Sequence, residues 1–138
     1  MKRLMKLIDT QKLVARERLL EWYPPFLFMG FKVVSATREP WAFKGRVPLR
    51  FYLKNLHGTF FGGALCAAAD PIPALMFKYY FLDRGVEVEV WTQSSAVEFL
   101  RPAAHDAYFE IELSKETLGR VSRELQETGK STPVVEFD

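Results

Sequence analysis

Residues 56–77 form a stretch of 22 residues in which Asp70 is the only side chain with a formal charge. An apolar run of about 20 residues is long enough to cross a bilayer. The stretch is therefore either a membrane span or an element enclosed by protein. Gly58, Gly62 and Gly63 near its start, a carboxylate inside it, and Pro71 and Pro73 just after that carboxylate argue against a span. The remaining solution is a helix packed at close range, with Ala67, Ala68 and Ala69 leaving little bulk beside Asp70. At 138 residues the chain suits one compact domain built around that helix.

Composition narrows the function classes. With 49% hydrophobic and 26% charged residues, the chain has globular rather than disordered composition. Nineteen Lys and Arg against seventeen Asp and Glu leave +2, and no long basic run marks a nucleic-acid footprint. One Cys excludes an intrachain disulfide framework. One Cys with two His cannot complete the usual four-ligand zinc set without carboxylates or a second chain, so no metal is expected. Residues 1–20 carry charges throughout, without an apolar core or a small-residue cleavage site. No signal peptide is read there, and a cytoplasmic protein is the expectation.

Helical spacing of Leu4, Leu7, Ile8, Val14, Leu19 and Leu20 predicts an N-terminal helix over 2–21, ended by Pro24-Pro25. The domain proper is expected over 22–138. Strands over 31–39 and 41–51 read as a hairpin across Glu39-Pro40. The apolar helix should run from about Gly62 to Asp83, with Gly85 at its end. A long strand is expected over 86–99, stopped by Arg101-Pro102. A further strand is expected over 108–113, where Phe109, Ile111 and Leu113 alternate with Tyr108, Glu110 and Glu112. Ser114 reads as the cap of a helix over 115–128, and residues 133–137 begin a last strand. The order is α+β, with one helix far more apolar than the others.

Glycines at a helix start let a ligand or another backbone approach the free N–H groups, and the helix dipole there favours an anion. Gly62, Cys66 and Asp70 follow at i, i+4 and i+8 along one face. A carboxylate buried in such a stretch holds its proton more tightly, which suits a base.

The spacing of Asn55, Phe61-Gly62-Gly63 and Asp70 resembles the active-site helix of hot-dog-fold acyl-CoA thioesterases of the phenylacetyl-CoA thioesterase type. Tyr23-Pro24-Pro25-Phe26, Gly58-Thr59, Ala69-Asp70-Pro71 and Phe99-Leu100-Arg101-Pro102 extend the likeness over residues 22–138. The fuller set resembles a bacterial family of hot-dog proteins related to those enzymes. The resemblance implies a hot-dog fold, a curved antiparallel sheet wrapped around the apolar helix, here with an N-terminal helix and an inserted helix at 115–128. It implies hydrolysis of an acyl-CoA or related thioester, with no cofactor other than the CoA of the substrate. Asp70 would be the general base acting through water, or less readily the nucleophile. The Gly62 N–H and the Asn55 side chain would form the oxyanion hole, and Thr92 would help hold the attacking water. Phe61, Gly63 and Arg101 would meet the substrate, Arg101 at a CoA phosphate. Phe61 is a departure, because many active relatives carry His there, and Phe cannot hydrogen-bond to a thiolate or a water.

Plainer readings stand beside these. Asp70 reads also as the cap of a helix restarting at Pro71, Asn55 as a turn or helix cap, and Thr92 as an ordinary strand residue. Arg101 reads as a solvated side chain, His57 as a loop residue, His105 as a surface turn and Cys66 as a small buried helix residue. A non-catalytic hot-dog module that binds an acyl ligand or serves assembly is the alternative function; a hot-dog dehydratase or hydratase ranks lower.

Gly62 and Asp70 lie about 12 Å apart along a continuous helix at 1.5 Å per residue. One carbonyl cannot reach both. A site that uses both takes its two ends from antiparallel helices of two subunits, so a homodimer, or a tetramer made of two such dimers, is expected. The resemblance also leads to an expectation of about one more strand after Asp138.

Overall fold

The computed structural model of the chain describes residues 16–138. Proline fixes φ near the helical value and suits the first turn of a helix. Pro24 and Pro25 accordingly open helix α1 (Pro24–Met29), and Gly30 ends it at φ 70°. Of the helix expected over 2–21, residues 2–15 lie outside the described residues; residues 16–18 are helical, Leu19–Trp22 tighten into a 3-10 turn, and the extended Tyr23 ends it just before Pro24.

Strands β1 (Lys32–Arg38) and β2 (Trp41–Val47) form the expected antiparallel hairpin, joined across a cis Glu39–Pro40 peptide. β2 stops at Val47, short of the expected Phe51, because Pro48 follows and has no N–H for a ladder. Phe51–Leu53 is a 3-10 turn instead. β3 (Ala107–Leu113) pairs antiparallel with β2 from Trp41 opposite Leu113 to Val47 opposite Ala107. The sheet order is β1-β2-β3.

Phenylalanines from three elements stack over this sheet. Ring centroids of Phe26 and Phe31 are 4.3 Å apart, and those of Phe31 and Phe109 are 5.9 Å apart. Gly45 faces Phe109 across the ladder, and a Cβ there would stand 2.5 Å from the Phe109 ring. The glycine is what lets that ring lie flat on β2.

The apolar stretch folds as two helices, α2 (Gly62–Ala69) and α3 (Pro71–Leu82), where one was expected. Pro71 and Pro73 have no N–H, so the carbonyls of Ala67 and Ala69 lose their helical donors. Asp70 marks the joint. Ala64 and Ala68 of α2, with Ile72 and Met76 of α3, enter the same buried cluster as the aromatic stack. Helix α4 (Lys115–Thr128) begins as its sequence indicates: the Ser114 side chain accepts from the Thr117 N–H at 3.1 Å. Its Leu118 and Val121 are buried.

Two expected strands do not form. Residues 86–100 have no ladder partner; Val88 and Val90 are half-buried, while Trp91 is 81% exposed. Residues 131–138 alternate in burial, with Val135 and Phe137 packed on the core. A hydrogen bond from the Glu110 N–H to the Asp138 carbonyl, 3.3 Å, ties them to the outer edge of β3. A strand needs a neighbour for its N–H and C=O groups, and an alternating pattern does not supply one.

The end of α3 is anchored electrostatically. Arg16 and Arg38 reach Asp83 at 2.8 and 3.0 Å, and Arg38 also reaches the buried Glu17 at 2.6 Å. Burial pushes the Asp83 carboxyl up, but the Arg16 hydrogen bond and the two guanidinium charges outweigh it and hold the group below the usual carboxylate range. No helix among the described residues is long and apolar enough to cross a membrane.

Candidate functional site

The loop before α2 is organised by Asn55. Its Oδ1 accepts from the N–H groups of His57 (2.9 Å) and Thr59 (3.2 Å). Its Nδ2 donates to Thr59 Oγ1 (2.8 Å) and to the Phe60 carbonyl (3.0 Å). Both amide hydrogens are thus held inside the turn, and an oxyanion contact from this side chain requires releasing one of them. The Phe60 N–H bonds to the Ala103 carbonyl (2.9 Å) and the Phe61 N–H to the Leu53 carbonyl (2.8 Å). The chain therefore reaches α2 pinned from two sides.

Phe61 holds extended backbone at the N-cap position and supplies no side-chain cap. The first N–H groups of a helix lack intrahelical acceptors, and the backbone bonding at this end starts with the Ala64 N–H to the Phe61 carbonyl, 2.9 Å. Two phenyl rings lie against the α-carbons of Gly62 and Gly63. A Cβ on Gly62 would stand 2.9 Å from Phe99 Cζ, and one on Gly63 would stand 2.6 Å from Phe61 Cε1. Glycine at both positions is what admits the rings.

At the other end of α2, Asp70 is exposed. This corrects the buried carboxylate expected from the apolar stretch. Ala64, Ala68 and Ile72, spaced i, i+4 and i+8, take the core side, which leaves the line of Gly62, Cys66 and Asp70 outside it. The Asp70 side chain makes no cap bond to α3, so the capping reading finds no hydrogen bond either. Thr92 Oγ1 donates to the Asp70 carbonyl at 3.4 Å. Arg101 is exposed, between Phe99, which touches Gly62, and Ala103, which accepts from Phe60.

One chain thus holds two clusters. Thr92 meets Asp70 at one end of α2, and Phe61, Phe99 and the Asn55 turn gather around Gly62-Gly63 at the other. About 12 Å of helix separates them. A cleft of about 390 Å³ runs beside α2, between Leu65 and Ala68 on the helix, Phe109 on β3, and residues 96–100. Phe99 stands at its Gly62 end. Sequence pattern alone does not mark Phe99 as a site residue, because its contact with Gly62 is long-range; its place in Phe99-Leu100-Arg101-Pro102 is the signal that points to it. Among the described residues, no cluster of three or more His, Cys, Asp or Glu is placed to hold a metal ion.

The fold is of the α+β class, a three-stranded antiparallel sheet with helices packed against it. The chain belongs to the family described as a domain of unknown function, DUF4442, whose model matches residues 14–137. No curated protein gives a match. Among solved structures, the protein of unknown function OLEI01261 from Chlorobaculum tepidum TLS is similar, with a TM-score of 0.79 at 17% identity over 93% of this chain and 78% of that one. The protein of unknown function PA5026 from Pseudomonas aeruginosa, described as "Probable Thioesterase", is similar with a TM-score of 0.64 at 20% identity, over 81% of this chain and 72% of that one. Both likenesses are likenesses of fold.

Proposed function

We propose that this protein is a thioester hydrolase of the hot-dog kind, acting on an acyl-CoA or related thioester at sites built by two copies of the chain. The observation that carries the reading is the polarity of α2: uncommitted N–H donors at Gly62-Gly63 and an exposed carboxylate at Asp70, at opposite ends of one eight-residue helix. The similar Pseudomonas aeruginosa protein, described as a probable thioesterase, is in keeping with it. Two antiparallel copies of α2 set the donors of one against the carboxylate of the other.

In that arrangement the thioester oxygen rests on the Gly62 N–H, at the positive end of the helix dipole. Asp70 of the partner subunit takes a proton from a water, which attacks the carbonyl carbon, and Thr92 helps hold that water. The tetrahedral oxyanion is stabilised by the amide; then the C–S bond breaks and the thiolate leaves. A donor of this kind contributes about 10²–10³ in rate and a positioned base about 10²–10⁴. Asn55 serves the site by holding the turn that aims Gly62. Phe61 offers the leaving thiolate no hydrogen bond, but a thiol of pKa about 8.5 leaves without prior protonation. The reading calls on no cofactor beyond the CoA of the substrate.

A panel of short, medium, long and aromatic acyl-CoAs with free-thiol detection tests the reaction. Mixing tests the shared site. Asp70→Asn and Gly62→Val chains, each inactive alone, should regain activity when refolded together, since one of the two sites is then intact. Failure to regain activity, with both variants folded, rejects the two-copy arrangement. Turnover unchanged by Asp70→Asn rejects the base. Phe61 and the engaged Asn55 amide favour a second reading, a module that binds an acyl ligand without turnover; binding with no thiol release would establish it.

A further inference from the structure

Phe99 touches both the amide end of α2 and the cleft beside that helix. Three of its ring atoms lie 2.9–3.3 Å from where a Cβ on Gly62 would stand. The same residue lines the 390 Å³ cleft with Leu65 and Ala68, which follow Gly62 by one and two turns. The ring is 57% exposed and sits in residues 86–100, which no ladder holds. Backbone pairing therefore does not fix its position.

We propose that Phe99 is the size gate of the acyl site, a specificity-determining residue that sets how large an acyl group the Gly62 amide accepts. The proposal rests on the thioester reading above and adds the acyl class. A carbonyl seated on the Gly62 N–H directs its acyl group either to solvent or along α2 toward Leu65 and Ala68. Phe99 stands across the second path. With the ring in place the site takes short acyl groups. With the ring removed, the amide end opens into the cleft, whose walls at Val47 and Phe109 are apolar. Glu98 and Asp138 at the cleft repel an acyl group with a terminal carboxylate, so the class is neutral. Hydrophobic pockets discriminate by about 10–200-fold for a methylene gained or lost, which sets the scale for a change as large as a phenyl ring.

The test measures kcat/KM for acetyl-, hexanoyl- and decanoyl-CoA with the full chain and its Phe99→Ala and Phe99→Leu variants, each checked by thermal unfolding. The expected result is a decanoyl-to-acetyl ratio raised about tenfold or more by Phe99→Ala, carried by KM, with Phe99→Leu between. A purely structural Phe99 would lower both values together, and an unchanged ratio in a folded variant overturns the gate. If Phe99→Ala does not fold, the ratio in Phe99→Leu decides in the same way. If no form releases thiol from any substrate, the hydrolase reading fails separately, and titration with decanoyl-CoA decides the gate. Tenfold tighter binding by Phe99→Ala upholds it, and equal affinity overturns it.

Discussion

At Gly62 the backbone supplies hydrogen-bond donors, and two phenyl rings lie against the glycines that carry them. At Asp70, eight residues on, a side chain supplies an acceptor, and prolines break the helix behind it. The two ends of α2 also differ in how firmly they are held. The Gly62 end is fixed by bonds from Phe60 and Phe61 to two separate segments, at 2.9 and 2.8 Å. The Asp70 end has a 3.4 Å bond from Thr92, a residue on a segment with no ladder. The Asp70 backbone is held by its own N–H bond to the Cys66 carbonyl, 2.9 Å, while its carboxylate makes no cap bond.

The comparison is open to attack at each end. The largest expected effect is at the acceptor: Asp70→Asn should lower kcat by about 10²–10⁴-fold. Its melting temperature should stay within a degree or two, because the side chain is exposed. A rate that survives would leave the two ends unrelated. At the donor end, Gly62→Ala forces a Cβ against Phe99 at 2.9 Å and should cost kcat/KM about tenfold. Adding Phe99→Ala in the same chain should recover part of that loss, as expected of residues in contact. Additive losses would mean that the ring and the amide do not act together. Thr92→Val removes the bond to the Asp70 carbonyl and should lower kcat only a few-fold, with stability changed by less than about 0.5 kcal/mol.

The smallest effect concerns the far end of α3. A carboxyl held below its unfolded value contributes stability that is present above the unfolded pKa and lost as pH falls through the folded one. Asp83 is such a group. Asp83→Asn should therefore flatten the acid limb of a stability-against-pH curve and leave the neutral-pH rate unchanged. A changed rate would show that the Arg16 and Arg38 anchor reaches the Asp70 joint through α3.

Much of this was legible in the residues because it is local. The Ser114 cap, the hairpin around Glu39-Pro40, the alternation of 107–113 and the small-residue helix each depend on neighbours a few positions away. The break at Pro71 was legible too, since the missing N–H groups can be counted. Other features depend on distant partners. Val86, Val88 and Val90 alternate with Glu87 and Glu89 as cleanly as 107–113 alternate, yet residues 86–99 have no strand to pair with. Asp70 looked buried because its neighbours in sequence are apolar, while its exposure follows from which side of α2 faces the core. Asn55 forms the turn that its residue type indicates, but pattern could not show that both of its amide hydrogens are taken up inside that turn. The contact of Phe99 with Gly62 is long-range, and local pattern does not show it.

Consider finally how the sheet is assembled in time. β1 and β2 meet across a tight turn, but β3 joins β2 from far along the chain; Arg46 and its ion-pair partner Asp106 are separated by 60 residues. Closing a loop of that length costs about 3–4 kcal/mol of chain entropy before any ladder bond repays it. The hairpin and the helices can form early, while β3 docks late and limits the folding rate. Phe109, which lies on Gly45 in the finished sheet, is then a latch set at the last step. A substitution that loosens it should slow folding as well as speed unfolding.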